Sequence, residues 1–244
     1  MPLTLLARPL DETPPSDRLA ALWWLWLPLA ALLFLSLTSL LAGGWYGTAI
    51  TREDGGIGRA QARLAFLGFL VALASLPLAH RRAPAWVVAW LVLAALCCLY
   101  VTGEETSWGQ HLFGWSTPEE WAAVNDQNET NLHNTSPWFD QKPRLLLGIA
   151  IGIGGIGVPL LALRRPQLRR GRFAIVLPPF ITLPSAAIAI FVGIVWTLDG
   201  WRGGNSLFIR PSEVQEFFFY GFVLLYLVVL RRRLLALPPP GVLT

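Results

Sequence analysis

The chain has 244 residues, 54% of them hydrophobic and 14% charged, with a formal net charge of +4. A soluble domain averages about 25% charged residues, so this composition leaves too little charge to cover a water-facing surface. The apolar residues come in blocks of bilayer-spanning length, which excludes a soluble enzyme, a disordered chain and a disulfide-stapled secreted domain.

Six stretches, roughly 21–42, 63–79, 86–105, 144–163, 173–198 and 211–230, qualify as spans. Each is about 17–25 residues long, enough at about 1.5 Å per residue to cross about 30 Å of hydrocarbon. Backbone groups in lipid must be paired internally, so the fold class is all-α, a polytopic membrane helix bundle. The pattern predicts a cytoplasmic N-terminal segment 1–20, one transmembrane domain over 21–230 and a cytoplasmic tail 231–244. The first span is too long for a signal peptide and lacks an A-x-A site, so it is a retained helix.

Charge sets the orientation. Arg8, Arg18, Arg81, Arg82, five arginines between 164 and 172, and Arg231, Arg232 and Arg233 put twelve of the 19 basic residues on one side. The positive-inside rule makes that side cytoplasmic and puts both termini inside. Twelve of the 15 acidic residues fall opposite, leaving Asp11, Glu12 and Asp17 inside. The net charge therefore reports topology and implies no nucleic-acid partner. Cys97 and Cys98 lie in mid-span and read as small apolar packing residues.

Of the outer connections, the first, 43–62, carries Arg52, Glu53 and Asp54, and the third, 199–210, carries Arg202 and Arg210. The second, about 103–143, is the longest, and loops of this length inside a compact protein usually carry a function. The apolar run before it ends at Thr102, about three residues short of a crossing, so a continuing helix puts Glu104 and Glu105 at the membrane boundary. The sixth span must begin near Pro211 to be long enough, which sets Glu213 and Glu216 one turn apart at a similar depth. Carboxylates at that depth are costly unless paired, hydrated or bound to a cation, and they mark functional sites by default.

Two of the three histidines, His111 and His133, lie in the same loop, and Glu104, Trp108 and His111 would share one helix face at i, i+4 and i+7. Carboxylates with imidazole are what Zn²⁺, Mn²⁺ or Fe²⁺ use, and such a metal activates water. The opposing reading pairs the Glu residues with Arg202, Arg210 or Arg144 and bonds the His residues to loop backbone. Thr117-Pro118-Glu119-Glu120 predicts a helix start, with Thr117 as N-cap and Glu120 at N3. The amide-rich run from Asn125 to Asn134, with Asp126, Asn131 and His133, either holds a polar substrate or closes a hydrogen-bonded loop. Outer-side Trp residues fit an interfacial belt or a headgroup platform.

The G-x-G-x-x-G string from Gly152 to Gly157 lies inside the fourth span and follows no strand, so a dinucleotide fold is excluded. Gly148 and Gly152 instead make a small-xxx-small face for close helix approach. Pro178, Pro179 and Pro184 predict a kink in the fifth span.

The run Glu104-Glu105-Thr106-Ser107-Trp108-Gly109-Gln110, followed by Thr117-Pro118-Glu119 and Asn131-Leu132-His133-Asn134, resembles a family of uncharacterised bacterial polytopic membrane proteins with an E-E-x-S-W-G-Q … N-L-H-N signature. The resemblance implies a bacterial inner membrane with the loop facing the periplasm. The family pattern tends to have Arg where this chain has His111, which directs attention to Glu105, His133 and Glu216.

The expected site lies at the outer ends of the third and sixth helices. Glu105 and Glu216 are its candidate catalytic groups, and Trp108, Gln110, Asn131 and Asn134 its candidate substrate contacts. Glu104, Glu105, His133, Glu213 and Glu216 are the candidate ligands for a divalent metal, Zn²⁺ or Mn²⁺. Its chemistry would be metal-assisted hydrolysis or transfer on a lipid or lipid-linked substrate. Two alternatives stand beside it: a non-catalytic membrane subunit whose loop docks a membrane or periplasmic partner, and a small transporter or ion-coupled carrier.

Overall fold

The computed structural model describes residues 14–50, 55–125, 127–201 and 207–238. Arg8, Asp11, Glu12, Arg52, Glu53, Asp54, Asp126 and Arg202 lie outside the described residues. Among the described residues six helices are long and apolar enough to cross a membrane: α1 (Leu22–Leu41), α2 (Gly56–Arg82), α3 (Ala85–Glu105), α4 (Pro137–Arg164), α5 (Phe180–Trp201) and α6 (Pro211–Ala236). The chain is an all-α, multi-pass membrane protein.

Boundaries of four helices differ from the sequence expectation. α4 begins at Pro137, two turns before Arg144, because Ser136 is extended and Pro137 suits a first helical turn. α5 begins at Phe180, where a span from 173 was expected. Pro178 and Pro179 cannot donate to a helical ladder, so they set the start of the helix and do not kink it, and Pro184 falls just after the opening 3₁₀ turn Phe180–Thr182, where the α-helical part begins. α2 and α6 run past the apolar spans, and the basic ends of both, Arg81, Arg82 and Arg233, suit the negative end of the helix dipole.

α6 is the axis of the bundle. It packs along α2 on one side and α5 on the other, while α3 lies along α2, α1 rests on α5, and α4 leans on α5 and α6. The core runs through Val214, Phe218, Phe219, Phe222 and Leu227 of α6. The small-residue face of α4 is used as expected, with Gly148 against Phe219 and Gly152 against Ile190. Its tightest point is Gly155, where a Cβ would lie 2.6 Å from the Phe222 ring and 2.7 Å from Ala186 Cβ. Cys98 is buried and Cys97 exposed, and neither forms a disulfide.

The end that carries residues 14–21 and 231–238 is laced by arginines. Arg233 makes a two-point ion pair with buried Asp17, at 2.8 and 2.7 Å, and donates to the carbonyls of Ala174, Ile175 and Leu177. Arg232 reaches Ser16 O, and Arg82 reaches Leu235 O and Leu237 O. These bonds use the carbonyls that the irregular segment before α5 and the end of α6 leave open.

Candidate functional site

At the opposite end, α3 stops in a sharp reversal. Ser107, Trp108 and Gly109 all have positive φ, at 47°, 53° and 106°, a costly region for the two residues with side chains. The reversal folds the Trp108 ring back over the helix end, where a Cβ on Gly103 would sit 2.8 Å from it. Trp108 Nε1 then donates to Glu104 Oε1 at 2.8 Å. The other oxygen of Glu104 accepts the N–H groups of Leu132 and His133, at 2.8 and 2.9 Å, and lies 3.2 Å from His133 Nδ1. The reversal also means that Glu104, Trp108 and His111 share no helix face, contrary to the expectation from spacing.

Around this anchor the loop is knit by side chains. Ser107 Oγ donates to Glu129 Oε2 at 2.6 Å and accepts from Asn131 Nδ2 at 3.1 Å. His111 reaches Glu129 at 2.9 Å and Ser107 at 3.2 Å through the same nitrogen, Nε2. A nucleophile relay needs the two ring nitrogens to face nucleophile and orienting carboxylate separately, so this group is a clasp and not a catalytic triad. Burial pushes the Glu129 carboxyl up, but the bonds from His111 and Ser107 and the nearby imidazoles outweigh it and hold it below its ordinary value. Gln110 accepts from Thr130 N at 2.8 Å and donates to Thr117 Oγ1 at 2.8 Å. Thr117 in turn donates to Asn128 O. The short helical turn Glu119–Ala122 is therefore capped by Pro118 without a side-chain bond, and Thr117 serves the loop and not the expected N-cap.

Beneath this roof lies a cavity of about 1000 Å³. Its polar end is walled by Glu105 and by Glu213, Glu216 and Tyr220 of α6, with His133 and Asn134 at the roof. Arg144 Nε donates to Glu216 at 2.5 Å, its Nη2 pairs with Asp140, and its guanidinium lies 5.8 Å from the Trp196 ring. Tyr220 OH donates to Glu105 at 3.2 Å, and Trp90 Nε1 to Tyr226 OH at 2.8 Å, so α3 and α6 touch through long side chains. The apolar end runs down a gap between α3 and α4, with Leu96 and Tyr100 on one wall and Leu146 and Ala150 on the other.

The expected site residues thus divide. Glu105, Glu213, Glu216, His133 and Asn134 line the cavity, whereas Trp108, Gln110 and Asn131 spend their polar atoms inside the loop. Glu104 reaches the cavity wall but is occupied by His133 and the loop backbone. Among the described residues no three His, Cys, Asp or Glu side chains converge as metal ligands do. The pairing of Glu216 with Arg144 matches the opposing sequence reading. Sequence reasoning passed over Asp140, Tyr220 and Glu129. Asp140 with Arg144 and Glu216 with Tyr220 are i, i+4 pairs, visible once the helix starts are known. Comparison with family models, curated proteins and solved structures returned no match to the chain.

Proposed function

We propose that the protein acts on a lipid or lipid-linked substrate whose polar head enters the cavity while its chain stays in the apolar gap. The observation that carries this is the continuity of one cavity from a carboxylate-walled end to a gap between two transmembrane helices. The reaction class is hydrolysis or transfer at the head. Glu105, hydrogen-bonded by Tyr220, is the general base that takes the proton of an attacking water or acceptor hydroxyl and returns it to the departing oxygen, and Arg144, held by Glu216 and Asp140, faces the negative charge that builds on the head. The setting is a bacterial inner membrane with both termini cytoplasmic and the loop periplasmic, supported by the arginine distribution and the resemblance of the loop.

The test is mass spectrometry of a bacterial lipid extract incubated with the protein in nanodiscs. A head-modified product should form and fall by about 10²–10⁴-fold in Glu105→Gln, the usual size of an acid–base contribution. Folded wild type that alters no lipid class would overturn the catalytic reading. The exposed, stacked Phe113 and Trp115 at the loop edge favour the second reading, a docking subunit.

A further inference from the structure

The connection between α4 and α5 carries five arginines in nine residues, Arg164, Arg165, Arg169, Arg170 and Arg172, and no carboxylate. Four of them are exposed and Arg169 is half-buried. Among the described residues none of the five forms an ion pair or donates a hydrogen bond, and Arg172 rests on the Phe173 ring, 4.7 Å from its centroid. Asp17, the one described carboxylate at this end, is held at both oxygens by Arg233. Membrane orientation requires basic residues on this side, but it does not require five in one connection, where each repels its neighbours.

Apolar surface adjoins the charge. Leu160 and Leu161, 46% and 43% exposed, stand one helical turn before Arg164 and Arg165, so each of these arginines heads an apolar strip open to the bilayer. Arg169 lines a hollow of about 280 Å³ walled also by Val158 and Ala162 of α4 and by Pro178. Pro166 opens a short 3₁₀ turn, Pro166–Arg170, which keeps the connection tight and its guanidinium groups together. A ligand that matches both the charge and the strips has an anionic head and two apolar chains.

We propose that this connection binds an anionic phospholipid, its phosphate among Arg164, Arg165 and Arg169 and its acyl chains along Leu160 and Leu161. Guanidinium N–H groups match phosphate oxygens in pairs, and basic pockets beside membrane helices recognise lipid heads in this way. The site is at the opposite end of the bundle from the cavity and takes no residue from it, so the two stand or fall separately. On the orientation proposed above, the lipid belongs to the cytoplasmic leaflet.

The experiment is native mass spectrometry of the full-length protein released from nanodiscs of equimolar phosphatidylglycerol and phosphatidylethanolamine. Wild type should retain the glycerol lipid about tenfold over the ethanolamine lipid, equivalent to about 1.4 kcal/mol. Arg165→Gln/Arg169→Gln should narrow that preference below about threefold, because the extra negative charge then meets fewer guanidinium groups. Arg63→Gln/Lys142→Gln removes the same charge from exposed side chains at the opposite end and should keep the preference. Excess inorganic phosphate, added before release, should displace no lipid. Equal retention by wild type overturns the assignment, and so does a preference that survives Arg165→Gln/Arg169→Gln, since the lipid then sits elsewhere, the cavity included. An equal loss in the control pair overturns it by making net charge the cause. Displacement by inorganic phosphate overturns the lipid as the occupant.

Discussion

Glu104→Gln separates the loop's architecture from the cavity's chemistry. In the folded protein one carboxylate oxygen of Glu104 faces three donors, Leu132 N, His133 N and His133 Nδ1, and the other faces Trp108 Nε1. Hydrogen bonds to a charged group contribute about 1.5–3 kcal/mol and neutral ones about 0.5–1.5. Removing the charge therefore weakens each of the three by about 1 kcal/mol. The glutamine also has a single acceptor oxygen, so its NH₂ must face the Trp108 donor or displace the other three. The expected cost is about 3 kcal/mol of loop docking, or about a hundredfold in the opening equilibrium. Hydrogen exchange in nanodiscs reads this directly, since the Leu132 and His133 amides are the reporters. Their exchange should accelerate about a hundredfold while core amides of α6 keep their protection. Rates within threefold of wild type, in folded protein, would refute the claim that Glu104 pins the loop.

Other expectations follow from equally local geometry. Gly155→Val should destabilise the bundle by about 1–3 kcal/mol, the usual cost of overpacking, because its Cβ alone would meet Phe222 and Ala186 below 3 Å; a thermal-unfolding midpoint equal to wild type would contradict it. Asp17→Asn should loosen residues 14–21 from the bundle at a cost of about 2 kcal/mol. That is below the 3–5 of a fully broken buried pair, because Arg233 keeps its three carbonyl acceptors. Faster proteolysis at Arg18 is the readout, and an unchanged rate would refute it. For Glu129, whose carboxyl is held below its ordinary 4.5, the stabilisation is full above that value and lost as pH falls through the lowered one. Exchange protection of the loop should stay level from neutral pH to about 4.5 and decline below it, with the decline removed in Glu129→Gln.

The six spans were legible because hydropathy and length report them without any knowledge of packing. The carboxylates at the ends of α3 and α6 were legible for a related reason, since charge at a membrane boundary stands out against an apolar background. The reversal at Ser107 and Trp108 was not. Neither residue type signals positive φ, and the turn is held by partners twenty or more residues away, Glu129, Thr130 and Asn131. The roles of Trp108, Gln110 and Asn131 turned on the same long-range bonds. An amide that grips a substrate and an amide that grips its own loop look alike in a string of letters. Helix starts at Pro137 and Phe180 were similarly hidden, because proline marks both kinks and beginnings and only the surrounding backbone decides which.

The arginine lacing at the terminal end gives the bundle a mechanical asymmetry. α3 is fixed near that end by Trp86 against Phe173, with ring centroids 5.4 Å apart, and by Trp90 bonded to Tyr226. Over the rest of its length it packs along α2, and at its far end Glu104 is tied to the loop and Glu105 to Tyr220 of α6. The two long walls of the cavity therefore differ in stiffness. α3 is backed by α2 from base to tip, whereas α4 meets α5 and α6 chiefly through its glycine-rich middle. Widening of the gap thus falls to α4, while α3 stays in register with the core.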